Sequence, residues 1–147
     1  MKIFKFLCII AGLIVLTGCS LSNEKDKSLP FETIAKGTYG YASEQDKIIS
    51  SQEEWEEFLM TWSKSEIDRF NVTEIDFGKY QIIVVIVGCP DTSWSTNIIR
   101  ITEYSKRIIV TAQVKTHGGY AMDTLTLPYH IVKIPVTTKS IEFNYIN

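Results

Sequence analysis

Only two histidines and three cysteines occur in this 147-residue sequence. That leaves little material for metal binding or thiol chemistry. No CxxC or HExxH spacing brings such residues together, so zinc has no paired-ligand signature here. Cys89, His117 and His130 would be three ligands without a motif, and no cofactor is expected. There is no glycine loop ahead of a helix to cradle a phosphate; Gly118-Gly119 precedes a strand-like stretch instead. Asp76, Asp91 and Asp123 are scattered, and no carboxylate pair stands out for acid–base work. Basic residues number 15 against 17 acidic ones. With no basic patch, nucleic acid is not an expected partner. No apolar run approaches the ~18–20 residues that a membrane-spanning helix requires.

What is present begins at the N-terminus. Lys2 and Lys5 precede Phe6–Leu16, eleven residues without a charge. Two lysines followed by an apolar stretch of this length fit a secretory signal. The stretch ends Leu16-Thr17-Gly18-Cys19, which resembles a bacterial lipobox. Such a resemblance implies cleavage after Gly18 and a diacylglycerol on Cys19. At ~0.8 kcal/mol per buried CH₂, two or three acyl chains anchor a protein firmly. The expected location is the bacterial cell envelope, with the outer membrane or cell surface favoured over the inner membrane.

Removing Met1–Gly18 takes away Lys2 and Lys5 and leaves 13 basic against 17 acidic side chains, a net charge of −4. Cys8 leaves with the signal and Cys19 is acylated, so Cys89 is the one remaining thiol. No intrachain disulfide is then expected, although the compartment is oxidising. Ser20–Pro30 is polar, charged and aperiodic, and reads as a flexible tether spanning 19–30 with its acylated cysteine. Residues 31–147 suffice for a single domain with a real core.

Within that domain one helix is clear. Ser51 and Glu54 spell a capping box. Trp55, Phe58, Leu59 and Trp62 fall on one apolar stripe. Glu53, Glu54, Glu56 and Glu57 crowd the first turns, where the helix dipole favours anions, and read as a solvated face. Phe31–Tyr41 reads as an irregular first strand and Lys47–Ile49 as a short second one. Ile82–Val87 is six apolar residues in a row, which predicts a central strand buried on both faces. Thr96–Tyr104 is expected beside it. Arg107–Thr116 alternates Ile108, Val110, Ala112 and Val114 with Arg107, Thr111, Gln113 and Lys115, one face dry and one wet. Thr124–Pro135 is extended, and its prolines suggest an edge or a broken strand. Ile141, Phe143 and Tyr145 alternate with polar residues. The fold expected is β-rich α+β: a mostly antiparallel sheet or sandwich of six to seven strands with one amphipathic helix packed on it.

Two segments are rich in the residue types used for recognition. One is the polar turn Cys89–Ser95, with Asp91, Thr92, Ser93, Trp94 and Ser95. The other is His117–Asp123, with His117, Gly118, Gly119 and Tyr120. Trp and Tyr offer large rigid contact area at low entropic cost. Packing over a hydrophobic edge is the competing reading for each aromatic. A catalytic thiol at Cys89 would need His117 or His130 within hydrogen-bond reach. Cys89 also follows a buried strand, where cysteine acts as a small hydrophobe. His130, in the strand-like "PYHIVKIP", reads as structural.

The order of these signals resembles the C-terminal domain family of the protease complex subunit PrcB. The matching pieces are Glu54-Trp55, Asp76-Phe77, Ile82–Gly88 and Pro128–Pro135, over roughly residues 45–136. The resemblance implies a secreted or lipid-anchored, non-catalytic domain that binds a protein partner, with a protease as one candidate. It departs at the turn, where the family's glycine-rich T-G-G-Y becomes Asp91-Thr92-Ser93-Trp94-Ser95, and serine restricts positive φ. A similar aromatic turn occurs in chagasin-like cysteine protease inhibitors, which insert loops into an active-site cleft. Three expectations follow: an accessory or assembly module of an envelope protease or other envelope complex, a loop-inserting inhibitor, and a thiol enzyme using Cys89.

Overall fold

The computed structural model describes residues 26–38, 43–71, 74–88, 94–116 and 127–147. The elements run β1 (Lys27–Ser28), β2 (Glu32–Gly37), β3 (Gln45–Ile49), α1 (Gln52–Leu59), α2 (Lys64–Ile67), β4 (Tyr80–Ile86), β5 (Trp94–Glu103), β6 (Arg107–Thr116), β7 (Tyr129–Pro135) and β8 (Ser140–Ile146). They form two four-stranded sheets, ordered β1-β5-β6-β8 and β2-β7-β4-β3. All the pairings are antiparallel except β6 with β8, which is parallel.

β4 explains the layering. Its residues Tyr80–Ile86 are buried almost without a break. Ile82, Val84 and Ile86 join Trp55, Phe58, Trp62 and Phe70 in one core between the helices and this sheet. Ile83 and Val85 face the other way and join Ile98, Ile101, Ile108, Val110 and Val132 between the two sheets. A period of two puts successive side chains on opposite faces, so an unbroken apolar strand requires cover on both. The result is three layers, helix on sheet on sheet, with β4 in the middle layer.

The pairing partner of β4 differs from the sequence expectation. β5 lies in the other sheet, and β4 sits between β7 and β3. Residues 87–93 therefore connect two sheets and do not close a hairpin. β7 is central as well, between β2 and β4, and is neither an edge nor broken. Its prolines flank it: Pro128 precedes the strand, and Pro135 is its last, exposed residue. Neither removes a donor from the ladder interior, which is the reason proline is excluded from central strands.

Two further boundaries shift. The first strand among the described residues begins at Lys27, four residues before Phe31. Lys27 and Ser28 pair with β5, and Leu29 packs on the inter-sheet core. The chain over 27–30 is therefore part of the sandwich and not tether. The strands among the described residues number eight, against six to seven expected. The irregularity expected in the first strand is a register shift in β2 between Thr33 and Ala35. Gly37, at the end of β2, lies under the Tyr129 ring. A Cβ there would sit 2.8 Å from ring atoms, so only glycine lets the aromatic cross.

The helix caps follow the sequence closely. The Glu54 N–H donates to Ser51 Oγ at 3.2 Å. The Glu54 carboxylate reaches back one residue further than a standard box and accepts from the Ser50 N–H at 2.7 Å. Trp55 and Phe58 are buried on one side of α1, and Glu53, Glu56 and Glu57 are exposed on the other. α2 repeats the device, with the Glu66 carboxylate accepting from the Ser63 N–H at 3.2 Å and from Ser63 Oγ at 2.8 Å. Ser51→Ala leaves the first turn of α1 without its side-chain acceptor. The expected loss is about 1 kcal/mol, read as a lowered urea midpoint with an unchanged slope.

The loop end of the sandwich as candidate site

Strand register places the sequence-predicted segments at one end. Gly37 lies opposite Tyr129, Tyr129 opposite Ile86 and Gln45 opposite Ile86 in one sheet. Trp94 lies opposite Thr116 in the other. The ends of β2, β4 and β6 and the starts of β3, β5 and β7 thus share one end. Residues 87–93 and 117–128, which each cross between the sheets, both depart and return there. Asp91, Thr92, Ser93, His117, Gly118, Gly119 and Tyr120 lie outside the described residues, as do Cys19 and Cys89. Their flanking strand ends are placed, and these bring the two segments to the same end.

Trp94 and Ser95 are described, and they belong to β5 and not to the turn. Both are half-buried. Counting by twos from the buried Ile98 and Thr96 puts Trp94 on the inner face at the mouth of the sandwich. Ser95 is on the outer face, opposite Lys115. Trp94 lines a cavity of about 380 Å³ with Val114, Lys115, Thr116 and Asn147. A second cavity, about 310 Å³, shares Val114 and Asn147 and adds Ile86, Val87, Asp46 and Tyr145. Its floor is aliphatic and its rim is polar. The Tyr145 hydroxyl donates to Asp46 Oδ1. Partial burial, and then that hydrogen bond to a carboxylate, raise the phenol above its ordinary pKa of 10. It stays protonated and bridges β8 to β3 at the rim.

Sequence reading overlooked Asp46, Val114 and Tyr145 as parts of this end. Period-two alternation points Val114 and Tyr145 inward, but no local signal says which end of which sheet they reach. The apolar floor, the half-buried indole and the hydrogen-bonding rim suit an apolar or aromatic side chain entering between the sheets.

His130 is elsewhere and does other work. It is 3% exposed, on β7, facing the opposite sheet. The Ile98 N–H donates to Nδ1 at 2.8 Å. Thr33 Oγ1 lies 2.9 Å from Nε2. A backbone N–H can only donate, so Nδ1 must be unprotonated. The ring proton then sits on Nε2 and is donated to Thr33. Both contacts fall at irregularities: the shift of β2 after Thr33 and that of β5 after Ile98. The β5 bulge frees the Ile98 N–H from the ladder, and His130 receives it. Burial, with Lys36 adding, lowers the imidazole from its ordinary 6.5 to about 4. With Nδ1 accepting from Ile98 and Nε2 bonded to Thr33 inside the sandwich, the ring has no nitrogen left to offer Cys89 or a zinc ion. Among the described residues no group of three or more His, Cys, Asp or Glu could hold a metal. No helix among them is long and apolar enough to cross a membrane.

The chain matches no family model, no curated protein and no solved structure.

Proposed function

We propose that the protein is a lipid-anchored, non-catalytic protein-binding module of the bacterial cell envelope, which engages its partner through the loop end of the sandwich. The observation that carries this reading is convergence. Two segments far apart in sequence, 87–93 and 117–128, leave strand ends at the same end, beside a half-buried Trp94 and a cavity with an aliphatic floor. The lipobox-like Leu16–Cys19 supplies the anchor, and the likeness to the PrcB C-terminal domain family supplies the class of partner, with an envelope protease as one member of it. In this reading Trp94 is the anchor residue of the contact, flanked by Asp91, Thr92, Ser93 and Ser95 and by His117, Gly118, Gly119 and Tyr120.

The test is capture of the tagged, acylated protein from its own membranes, with a Trp94→Ala copy alongside and mass spectrometry of what is retained. A partner held by wild type should be lost or weakened by Trp94→Ala. Truncating a central aromatic costs about 2 kcal/mol, roughly thirtyfold in Kd. Both proteins should show the same circular dichroism and the same melting transition. Full retention by a folded Trp94→Ala protein sinks the anchor role.

The same convergence favours a second reading. Loops grouped at one end of a sandwich are arranged to enter a cleft together, as an inhibitor requires. Adding purified protein to a captured protease separates the two: stoichiometric loss of activity indicates inhibition, and unchanged or raised activity indicates an accessory role.

A further inference from the structure

β1 pairs with the far end of β5, Lys27 opposite Glu103 and Ser28 opposite Thr102. Trp94 is the first residue of that same ten-residue strand and Glu103 the last. At ~3.3 Å per residue the two ends stand about 30 Å apart. The chain therefore enters the sandwich at the end opposite Trp94. The entry is fixed, because the Leu29 N–H donates to the Ile101 carbonyl at 2.9 Å and the Leu29 side chain packs between the sheets.

Seven residues separate Cys19 from Lys27. Eight steps of chain reach at most roughly 29 Å when fully extended. A relaxed chain of that length averages about 16 Å end to end. These lengths bound the postures open to a domain whose Cys19 is held at the lipid surface.

We propose that the anchored domain stands with the β5–β6 turn, residues 104–106, toward the bilayer and with the loop end away from it, so that its partner is a protein surface standing off the lipid by about one strand length. The inference rests on the acylation of Cys19 in the reading above. The reverse posture lifts Lys27 a whole strand length above the lipid and consumes the full extension of the tether. A partner inserted between the loop end and the bilayer would add its own thickness, and the tether has none left to give. The partner then reaches the Trp94 end from the side or from above. A segment lying flat in the headgroups would be out of reach.

Chain length sets this posture, and lipid charge does not. At the β5–β6 turn end Lys139 is paired with Glu103 at 2.9 Å, Arg107 with Glu142 at 3.7 Å and Lys79 with Asp76 at 2.8 Å. Lys27 and Lys106 stand at that end as well, with Asp26, so five basic side chains face four acidic ones there and the net charge of +1 is too small to hold that end on an anionic surface.

The experiment uses the full acylated chain in vesicles whose headgroups carry energy-transfer acceptors. In a Cys89→Ser background, one dye is placed at Lys106→Cys and, in a second protein, at Lys115→Cys; both positions are exposed. The Lys106 dye should lose most of its emission, and the Lys115 dye should keep most of its own. Inserting a dozen Gly and Ser residues after Ser22 should erase the difference. Equal quenching at the two positions in the native-length protein, or stronger quenching at Lys115, overturns the posture. A difference that survives the longer tether also overturns it, because surface attraction would then be the cause. Mass spectrometry of the mature N-terminus separates this from the parent reading. An unacylated Cys19 overturns both, and an acylated chain with equal quenching overturns the posture alone.

Discussion

Trp55→Ala should cost about 3–5 kcal/mol, the range for truncating a large buried aromatic. Trp55 is completely buried. Its ring stacks on Phe58 at 5.6 Å and 19° and leans on Phe70 at 6.2 Å. The same cluster takes in Ile34, Ile49, Ile82 and Val84 from the sheet beneath. Removing the indole therefore opens a void where helix and middle sheet meet, with side chains from both walls losing contacts. Total stabilities of such domains are only ~5–15 kcal/mol, so the loss is a large share. The urea midpoint should fall by on the order of 2 M. Met60→Ala, at an 82% exposed position just past the same helix, should change stability by less than about 0.5 kcal/mol. Two midpoints that coincide would mean that the helix layer is not part of the cooperative core.

That contrast could be read from the sequence, because Trp55 and Phe58 fall on the apolar stripe of α1 while Met60 does not. Local periodicity also marks β4 as doubly buried and β6 as dry on one face, since each pattern reports only what flanks a single strand; Thr111, on the face expected to be wet, is buried because β5 and β8 flank it. Pairing was not legible in the same way. Thr96–Tyr104 follows Ile82–Val87 in sequence, but nothing in either segment says that 87–93 crosses to another sheet. For β7 the prolines mislead unless their position is weighed. Pro128 and Pro135 bracket the strand, and the residues between them carry uninterrupted donors. α2 is too short for a period to show, yet Ser63 and Glu66 repeat the spacing of Ser51 and Glu54 and could have marked it. At the candidate site, counting by twos back from Ile98 would have moved Trp94 from turn to strand. The gathering of both recognition segments at one end, and the bridge from Tyr145 to Asp46, depend on contacts distant in sequence. Only the sheet order supplies those.

Lowering the pH from 7 to 5 should destabilise the protein by roughly 2 kcal/mol through His130 alone. In the unfolded chain this imidazole titrates at its ordinary 6.5, and in the folded protein burial holds it at about 4. Between those values the unfolded state binds a proton that the folded state does not. Stability is therefore complete above pH 6.5 and drains away as the pH falls toward 4. The structural reason is the pair of bonds across the sandwich. A proton on Nδ1 would meet the Ile98 N–H donor at 2.8 Å, in a site closed by the Phe31 ring edge and with Lys36 as the nearby charge. Asp76 and Glu103 have their pKa values lowered by Lys79 and Lys139 respectively, so their own losses fall at lower pH and leave this window to the histidine. Urea titrations at pH 7, 6 and 5 measure the slope directly. His130→Gln keeps an oxygen to accept from Ile98 but has nothing to titrate. It should be less stable at pH 7, because the packing of the ring is lost, and nearly flat from pH 7 to 5. A wild-type slope that persists in His130→Gln would assign the acid sensitivity to another group. A flat wild type would mean that the ring can take a proton without leaving its place between the sheets.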